Sequence, residues 1–239
     1  MAIISGIKIF GTGGGASTTD KYVVPNGMKF AYSSLSDFSN LDFSAVRDWD
    51  YMFYYCTNLQ EIDASGFNLT DETSLAYMFR NCSNLSSIIT DGWDTSNIES
   101  ISRLFQGCTS LQNLDLSSFE TSKVTNISYL FSGCSGLTSV NMSGLDLSNL
   151  DTNAGMTYVF YQCSSLTDLN MDGVTFPDYN INMKLDDCTA LTVESLLSIL
   201  NSLPQLEGHT RTLFIGTDNK AKLSDEQKAI ATNKHWVLN

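Results

Sequence analysis

Six cysteines, at positions 56, 82, 108, 134, 163 and 188, hold the greatest capacity for chemistry in this 239-residue chain. An even number permits disulfides or a metal cluster. Their separations of 26, 26, 26, 29 and 25 residues argue against both. Side chains recurring at one point of a repeat point the same way rather than at each other, which disfavours disulfide geometry. No C-x-x-C and no nearby histidine completes a zinc site. The expectation is a buried ladder of free thiols acting as small apolar residues. Such a ladder suits synthesis in a reducing cytoplasm.

The other chemistry-bearing residues are sparser. The run Gly11-Thr12-Gly13-Gly14-Gly15-Ala16 mimics the G-x-G-x-x-A dinucleotide fingerprint, which needs a helix opening at its third glycine inside a βαβ unit. Here Ser17 to Lys21 and then Tyr22-Val23-Val24-Pro25-Asn26-Gly27 follow, a strand and a turn. The glycines therefore read as a joint, and as the element by which the chain is mounted on a larger assembly. His209 and His235 are the only histidines and read as surface residues. No G-x-S-x-G or H-E-x-x-H occurs, and the carboxylates are spread along the repeats. No catalytic, cofactor-binding or metal residue is assigned, and the chain is not expected to be an enzyme.

What positions these residues is the repeat itself. Three residues before each cysteine stand Phe53, Phe79, Phe105, Phe131, Phe160 and then Leu185. Three after stand Leu59, Leu85, Leu111, Leu137, Leu166 and Leu191, and six after stand Ile62, Ile88, Leu114, Val140 and Leu169. Eleven after come Phe67, Trp93, Phe119, Leu145 and Val174. A period of this length with L-x-x-L spacing predicts an α/β leucine-rich-repeat solenoid, in which neighbouring turns bury a face that one turn cannot bury alone. In the fourth turn Val124, Ile127, Leu130, Phe131 and Cys134 share one helical arc, with Gly133 as its stop. Leu114-Asp115-Leu116-Ser117 alternates like a strand. Each turn thus predicts a short helix plus a short strand, the strands forming a parallel sheet. The extra residues near Thr152 to Gly155 predict a loop, and residues 28–41 a degenerate first turn with Phe30 in the cysteine column. The predicted organisation is an N-terminal segment 1–37, a repeat array 38–191 and a small αβαβ C-terminal cap 192–239. In the cap, Ser224 and Gln227 form a capping box.

The charge of −13 is concentrated in the array. Between residues 38 and 191 five basic residues face nineteen acidic ones. Such a surface repels phosphate backbones and anionic membranes, which excludes nucleic acid and polybasic membrane contact as expectations. No apolar run is long enough to span a bilayer. The N-terminus, MAIISGIKIFGTGGG, has no basic n-region and an apolar stretch interrupted by Lys8, so it does not read as a signal peptide.

The run LDLSSFETSKVTNISYLFSGCSGLTSVNMS resembles the BspA-like leucine-rich repeat family, and the resemblance covers roughly residues 38–191. The tail LTVESLLSILNSL…LSDEQKAIATNKHWVL is similar to the cap that often closes such arrays. The family is known from bacterial surfaces, notably of Bacteroides-type organisms, and from some gut phages. It implies an adhesin or recognition module whose partner is a protein or glycan on a cell surface, or virion proteins. Absence of a leader favours a virion component (host-recognition, fibre or decoration protein) made in the cytoplasm. The alternative is an exported cell-surface adhesin.

Two columns are candidate contact surfaces. Five residues before each cysteine stand Tyr51, Tyr77, Arg103, Tyr129 and Tyr158, with Tyr54, Tyr55 and Tyr161 close by. Exposed tyrosines in a row are rigid and amphipathic, as recognition surfaces favour; alternatively each lies flat on the next turn and seals the stack. The second column is Glu61, Asp63, Asp91, Asn113, Asp115, Asn141, Asp168, Asn170 and Asp172, read as outward strand positions. Carboxylates and amides there suit sugar hydroxyls, basic protein patches or calcium. Equally, they form a solvated polar edge.

Overall fold

A computed structural model describes residues 2–4, 7–9, 21–151, 155–177, 183–208 and 210–239. The Gly11–Ala16 joint, the loop at 152–154 and His209 lie outside the described residues. The chain is a mixed α/β protein of short strands in parallel sheets with few helices. An antiparallel hairpin, β1 (Ala2–Ile4) with β2 (Ile7–Ile9), comes first. There follow β3 (Tyr22–Val23), β4 (Leu41–Asp42), β5 (Glu61–Asp63), β6 (Ser87–Ile89), β7 (Asn113–Asp115), β8 (Ser139–Asn141) and β9 (Asp168–Asn170). The C-terminal part contains α1 (Val193–Ser202), β10 (Arg211–Leu213), α2 (Gly216–Lys222), α3 (Asp225–Asn233) and β11 (Trp236–Leu238).

Register follows the sequence period. Ile62 faces Ile88 across β5–β6, and Leu114, Val140 and Leu169 face one another across β7–β8–β9. Except at β6, where Ile89 is exposed beside Ile88, each lies between two outward polar residues, the alternation expected of a half-buried strand. Inside, the phenylalanine column forms one ladder. Phe53 stacks on Phe79 with centroids 5.1 Å apart, and Phe105 on Phe131 at 6.0 Å, with planes within 6° and 5° of parallel. Identical rings stack because each repeat presents the same position to its neighbour. Phe30 belongs to this ladder, 6.0 Å from Phe53 and nearly parallel to it. That corrects its expected place in the cysteine column, which Ser33 takes instead, three residues on and bonded through its N–H to the Phe30 carbonyl.

The expected short helix in each repeat is absent; among the described residues no helix precedes Val193. The cause is the backbone at two positions per repeat. Tyr51, Tyr77, Arg103, Tyr129 and Tyr158 all adopt left-handed φ of 56° to 62°. Four residues on, Tyr55, Asn81, Gly107, Gly133 and Gln162 do so again. A left-handed residue ends a right-handed helix. Instead, alternate N–H groups point in two directions. Those of Arg103, Phe105 and Gly107 donate to Ser128, Leu130 and Ser132 of the next repeat at 2.8–3.1 Å. Those of Leu104, Gln106 and Cys108 donate three residues back within their own repeat. Every third or fourth residue still faces inward, so the apolar spacing mimics a helix although half the donors tie repeats together.

The C-terminal part closes the last strand. Thr192 caps α1 by accepting the Ser195 N–H. From α1, the Ser195 and Ser198 hydroxyls accept the N–H groups of Leu169 and Met171 at 2.9 and 2.8 Å. Serine side chains thus stand in for the next strand along β9, an edge that otherwise invites pairing with another chain. The expected αβαβ order misses α2, because the strand ends at Leu213 and Gly216 turns the chain at φ 78°. Asn219 of α2 is buried and donates to the Cys188 and Ile215 carbonyls, fixing this helix to the last repeat. Ser224 and Gln227 form the expected capping box on α3.

Candidate interaction faces

The cysteines are enclosed and free. Each thiol donates to a phenylalanine carbonyl of the preceding repeat, Cys82 to Phe53, Cys108 to Phe79 and Cys134 to Phe105, at 3.0–3.1 Å. Burial pushes the Cys56 and Cys134 thiols up to about 12 and raises the other four as well. These sulfurs serve packing and register, since a reactive cysteine requires the thiolate.

Outside, the tyrosine column is a continuous stack. Tyr51 lies on Tyr77 at 4.5 Å with planes 11° apart. The Arg103 guanidinium sits between Tyr77 and Tyr129, 5.2 and 4.5 Å from their ring centres. Tyr129 lies on Tyr158 at 5.3 Å, and the Lys184 ammonium covers Tyr158 at 5.1 Å. Arginine therefore replaces tyrosine mid-column without a break, since its flat cation packs on aromatic faces as a ring does. At the N-terminal end Tyr55 stacks on Tyr32, while Tyr54 meets both edge-on. Arg80 lies 5.5 Å from the Tyr54 and Tyr77 rings and donates to the Tyr54 hydroxyl.

Tyr51, Tyr55 and Tyr161 are exposed, while Tyr54, Tyr77, Arg103, Tyr129 and Tyr158 are half-buried. Neighbouring rings and cations cover one another's faces, so edges, hydroxyls and guanidinium N–H groups are what this side can offer. Such groups hydrogen-bond to a partner; a sugar or base sandwiched between rings has no room in the stack. Sequence reasoning missed Tyr32, Arg80 and Lys184. Arg80 sits in register with Tyr54 and Tyr161, two residues before the cysteine, and that column is the signal that could have found it.

The polar column divides. Glu61, Asp63, Asn113, Asp115, Asn141, Asp168 and Asn170 lie on strands, but Asp91 lies beyond β6 and Asp172 beyond β9. Several of these side chains build turns. Asp63, Asp115 and Asn141 each accept the N–H of the serine two residues on, at 2.8–3.1 Å. Asn68, Asp94 and Asp146 do the same with Thr70, Ser96 and Ser148 one corner later. The pattern D/N-x-S/T is therefore a corner signature legible in the sequence. Serine hydroxyl and amide donors hold the Asp63, Asp94 and Asp115 carboxyls below the usual range. Asp172 accepts the Ser198 hydroxyl at 2.7 Å and so belongs to the α1 junction. Among the described residues no group of three or more His, Cys, Asp or Glu could hold a metal ion. Among them, too, no helix is long and apolar enough to cross a membrane.

An array of parallel short strands, register-locked at the repeat period and flanked by a stacked aromatic face, defines an α/β repeat protein. Residues 25–91 and 73–184 match the family described as "Mycoplasma protein of unknown function, DUF285", and the chain belongs to that family. The two matches overlap, as a repeated unit allows. No curated protein and no solved structure matches the chain.

Proposed function

We propose that the chain is a leucine-rich-repeat solenoid of the BspA-like kind and a non-enzymatic binding module that contacts a macromolecule through its tyrosine–arginine face. The observation that carries this reading is the uninterrupted stack from Tyr51 through Tyr77, Arg103 and Tyr129 to Tyr158. It presents hydroxyl and guanidinium donors on a pre-ordered backbone, so little side-chain freedom is lost on binding. Tyrosine and arginine are also the residues that most often dominate interface energetics. The setting we propose is a phage particle, as a host-recognition, fibre or decoration protein; the other reading is a cell-surface adhesin. Six buried thiols fit a chain that folds before it meets an oxidising exterior.

Two measurements test this. Labelled protein titrated onto bacterial cells and virion proteins is expected to bind one of them saturably at micromolar concentration, and binding to neither contradicts the proposal. Immunogold microscopy then gives the address. Label on released particles supports the virion reading, and label on intact cell envelopes the adhesin.

A further inference from the structure

A groove of about 630 Å3, with no tyrosine in its lining, opens beside β4 and β5. It coincides with an interruption of the sheet. β5 pairs with β6, and β7 with β8 and β9, but no ladder joins β4 to β5. Phe38, Phe43 and Phe67 supply an apolar floor. They retain 5%, 7% and 6% exposure, whereas Phe53 and Phe79 of the internal ladder retain none.

The rim is unlike the floor. Asp37, Asp42, Glu61 and Asp63 surround the opening, with Lys21 the single cation among the lining residues. Asp37, Asp42 and Asp63 accept the amide of the following corner serine through Oδ1. Those bonds fix three carboxylates at defined places around the floor, rather than leaving them on mobile side chains.

We propose that this groove binds an extended segment of a partner protein in which lysine or arginine side chains alternate with apolar ones. Charge complementarity selects the cations, because the rim is acidic in a chain of net charge −13. Alternation follows from extended geometry, in which successive side chains point to opposite sides, one set to the aromatic floor and the other to the carboxylate rim. An extended peptide also supplies main-chain donors and acceptors beside an interrupted sheet.

The test uses the full chain and a fluorescein-labelled Lys-Val-Lys-Val-Lys-Val peptide, followed by anisotropy beside its Glu-Val counterpart. Micromolar binding is expected for the basic peptide, at least tenfold weaker binding for the acidic one, and weakening with added salt. Gly66 lines the groove, and a Cβ there would meet nothing within 4 Å. Gly66→Trp should therefore fill the groove, weakening the peptide more than tenfold without shifting the thermal midpoint. Asp42→Asn and Asp63→Asn keep the corner acceptor but remove the charge, and each should weaken binding several-fold. Tyr129→Ala should leave this probe unaffected, so failure here is separable from failure of the tyrosine-face reading. Equal affinity for the two peptides, wild-type binding by Gly66→Trp or both asparagine variants, or equal loss in Tyr129→Ala would overturn the proposal. So would the absence of saturable binding below millimolar concentration.

Discussion

The Cys134 thiol donates a hydrogen bond to the Phe105 carbonyl at 3.0 Å, joining one repeat to the repeat before it. The same bond recurs from Cys56 onto Phe30 and from Cys188 onto Phe160. The cysteine column and the phenylalanine column are therefore two sides of one device. Sulfur fits a small apolar site, and its weak donor bonds the phenylalanine carbonyl there.

A prediction about reactivity follows. Native protein at pH 8 should leave all six thiols unmodified by Ellman's reagent over minutes, and denatured protein should react at all six. Their folded-state values lie above the ordinary thiol value of 9.0, at about 12 for Cys56 and Cys134. A group raised on folding contributes stability that is fully present below its unfolded value and is lost as pH climbs towards the folded one. Stability should thus be flat to about pH 9 and then fall by up to about 1.4 kcal/mol per pH unit for each thiol. Urea midpoints measured between pH 7 and 11 check this.

The inner ladder and the outer stack should differ in cost. Phe105→Ala removes a wholly buried ring between Phe79 and Phe131 and is expected to cost about 3–5 kcal/mol. Tyr77→Ala loses outer contacts with Tyr51, Arg80 and Arg103, about 1–2 kcal/mol. At Tyr77 φ is 62°, so Tyr77→Gly should be no less stable than Tyr77→Ala, the reverse of the usual order. Denaturant unfolding of the three variants gives all these values.

Two glycines in one column should respond unequally. Gly107 and Gly133 both hold positive φ, so alanine is strained at either. A Cβ at Gly107 would also collide with the Asn81 side-chain oxygen, whereas at Gly133 the nearest atoms, in Gly107, are 3.7 Å away. Gly133→Ala is expected to cost about 1 kcal/mol and Gly107→Ala about 2–3 kcal/mol. Equal thermal shifts would mean that Asn81 yields freely.

Corner aspartates should tolerate loss of charge better than loss of the acceptor. Asp94 takes the Ser96 amide and hydroxyl. Asp94→Asn should keep the turn, while Asp94→Ala should lower the thermal midpoint further. The Asp94 carboxyl is depressed on folding by these donors, as are Asp63 and Asp115. Their contribution is present above the ordinary carboxylate value and should fade as pH falls below about 4.

Much of the architecture could be read from the sequence because one period drives both pattern and register. Phe53, Cys56 and Ile62 repeat in phase; the structure places Phe53 and Ile62 against their counterparts one repeat on and bonds the Cys82 thiol to the Phe53 carbonyl. What escaped was backbone conformation. Tyrosine and arginine carry no propensity for left-handed φ, so nothing at Tyr77 or Arg103 announces that hydrogen bonds between repeats replace a helix there. Phe30 was misplaced because the first repeat is shorter than the others. On the candidate faces, the tyrosine column was legible by spacing alone. Arg80 shares a column with Tyr54 and Tyr161, whereas Lys184 joins the stack through side-chain reach across repeats, and the groove beside β4 coincides with a missing ladder that no residue type encodes.

The most direct test of the central claim is the affinity of the double variant Arg103→Ala/Tyr129→Ala for the cells or virion proteins that bind the unmodified chain. Both residues lie mid-stack on the outer face and outside the core. The account predicts at least a tenfold loss of affinity with the far-ultraviolet spectrum unchanged. Unaltered affinity in the folded variant would contradict recognition through the tyrosine–arginine face.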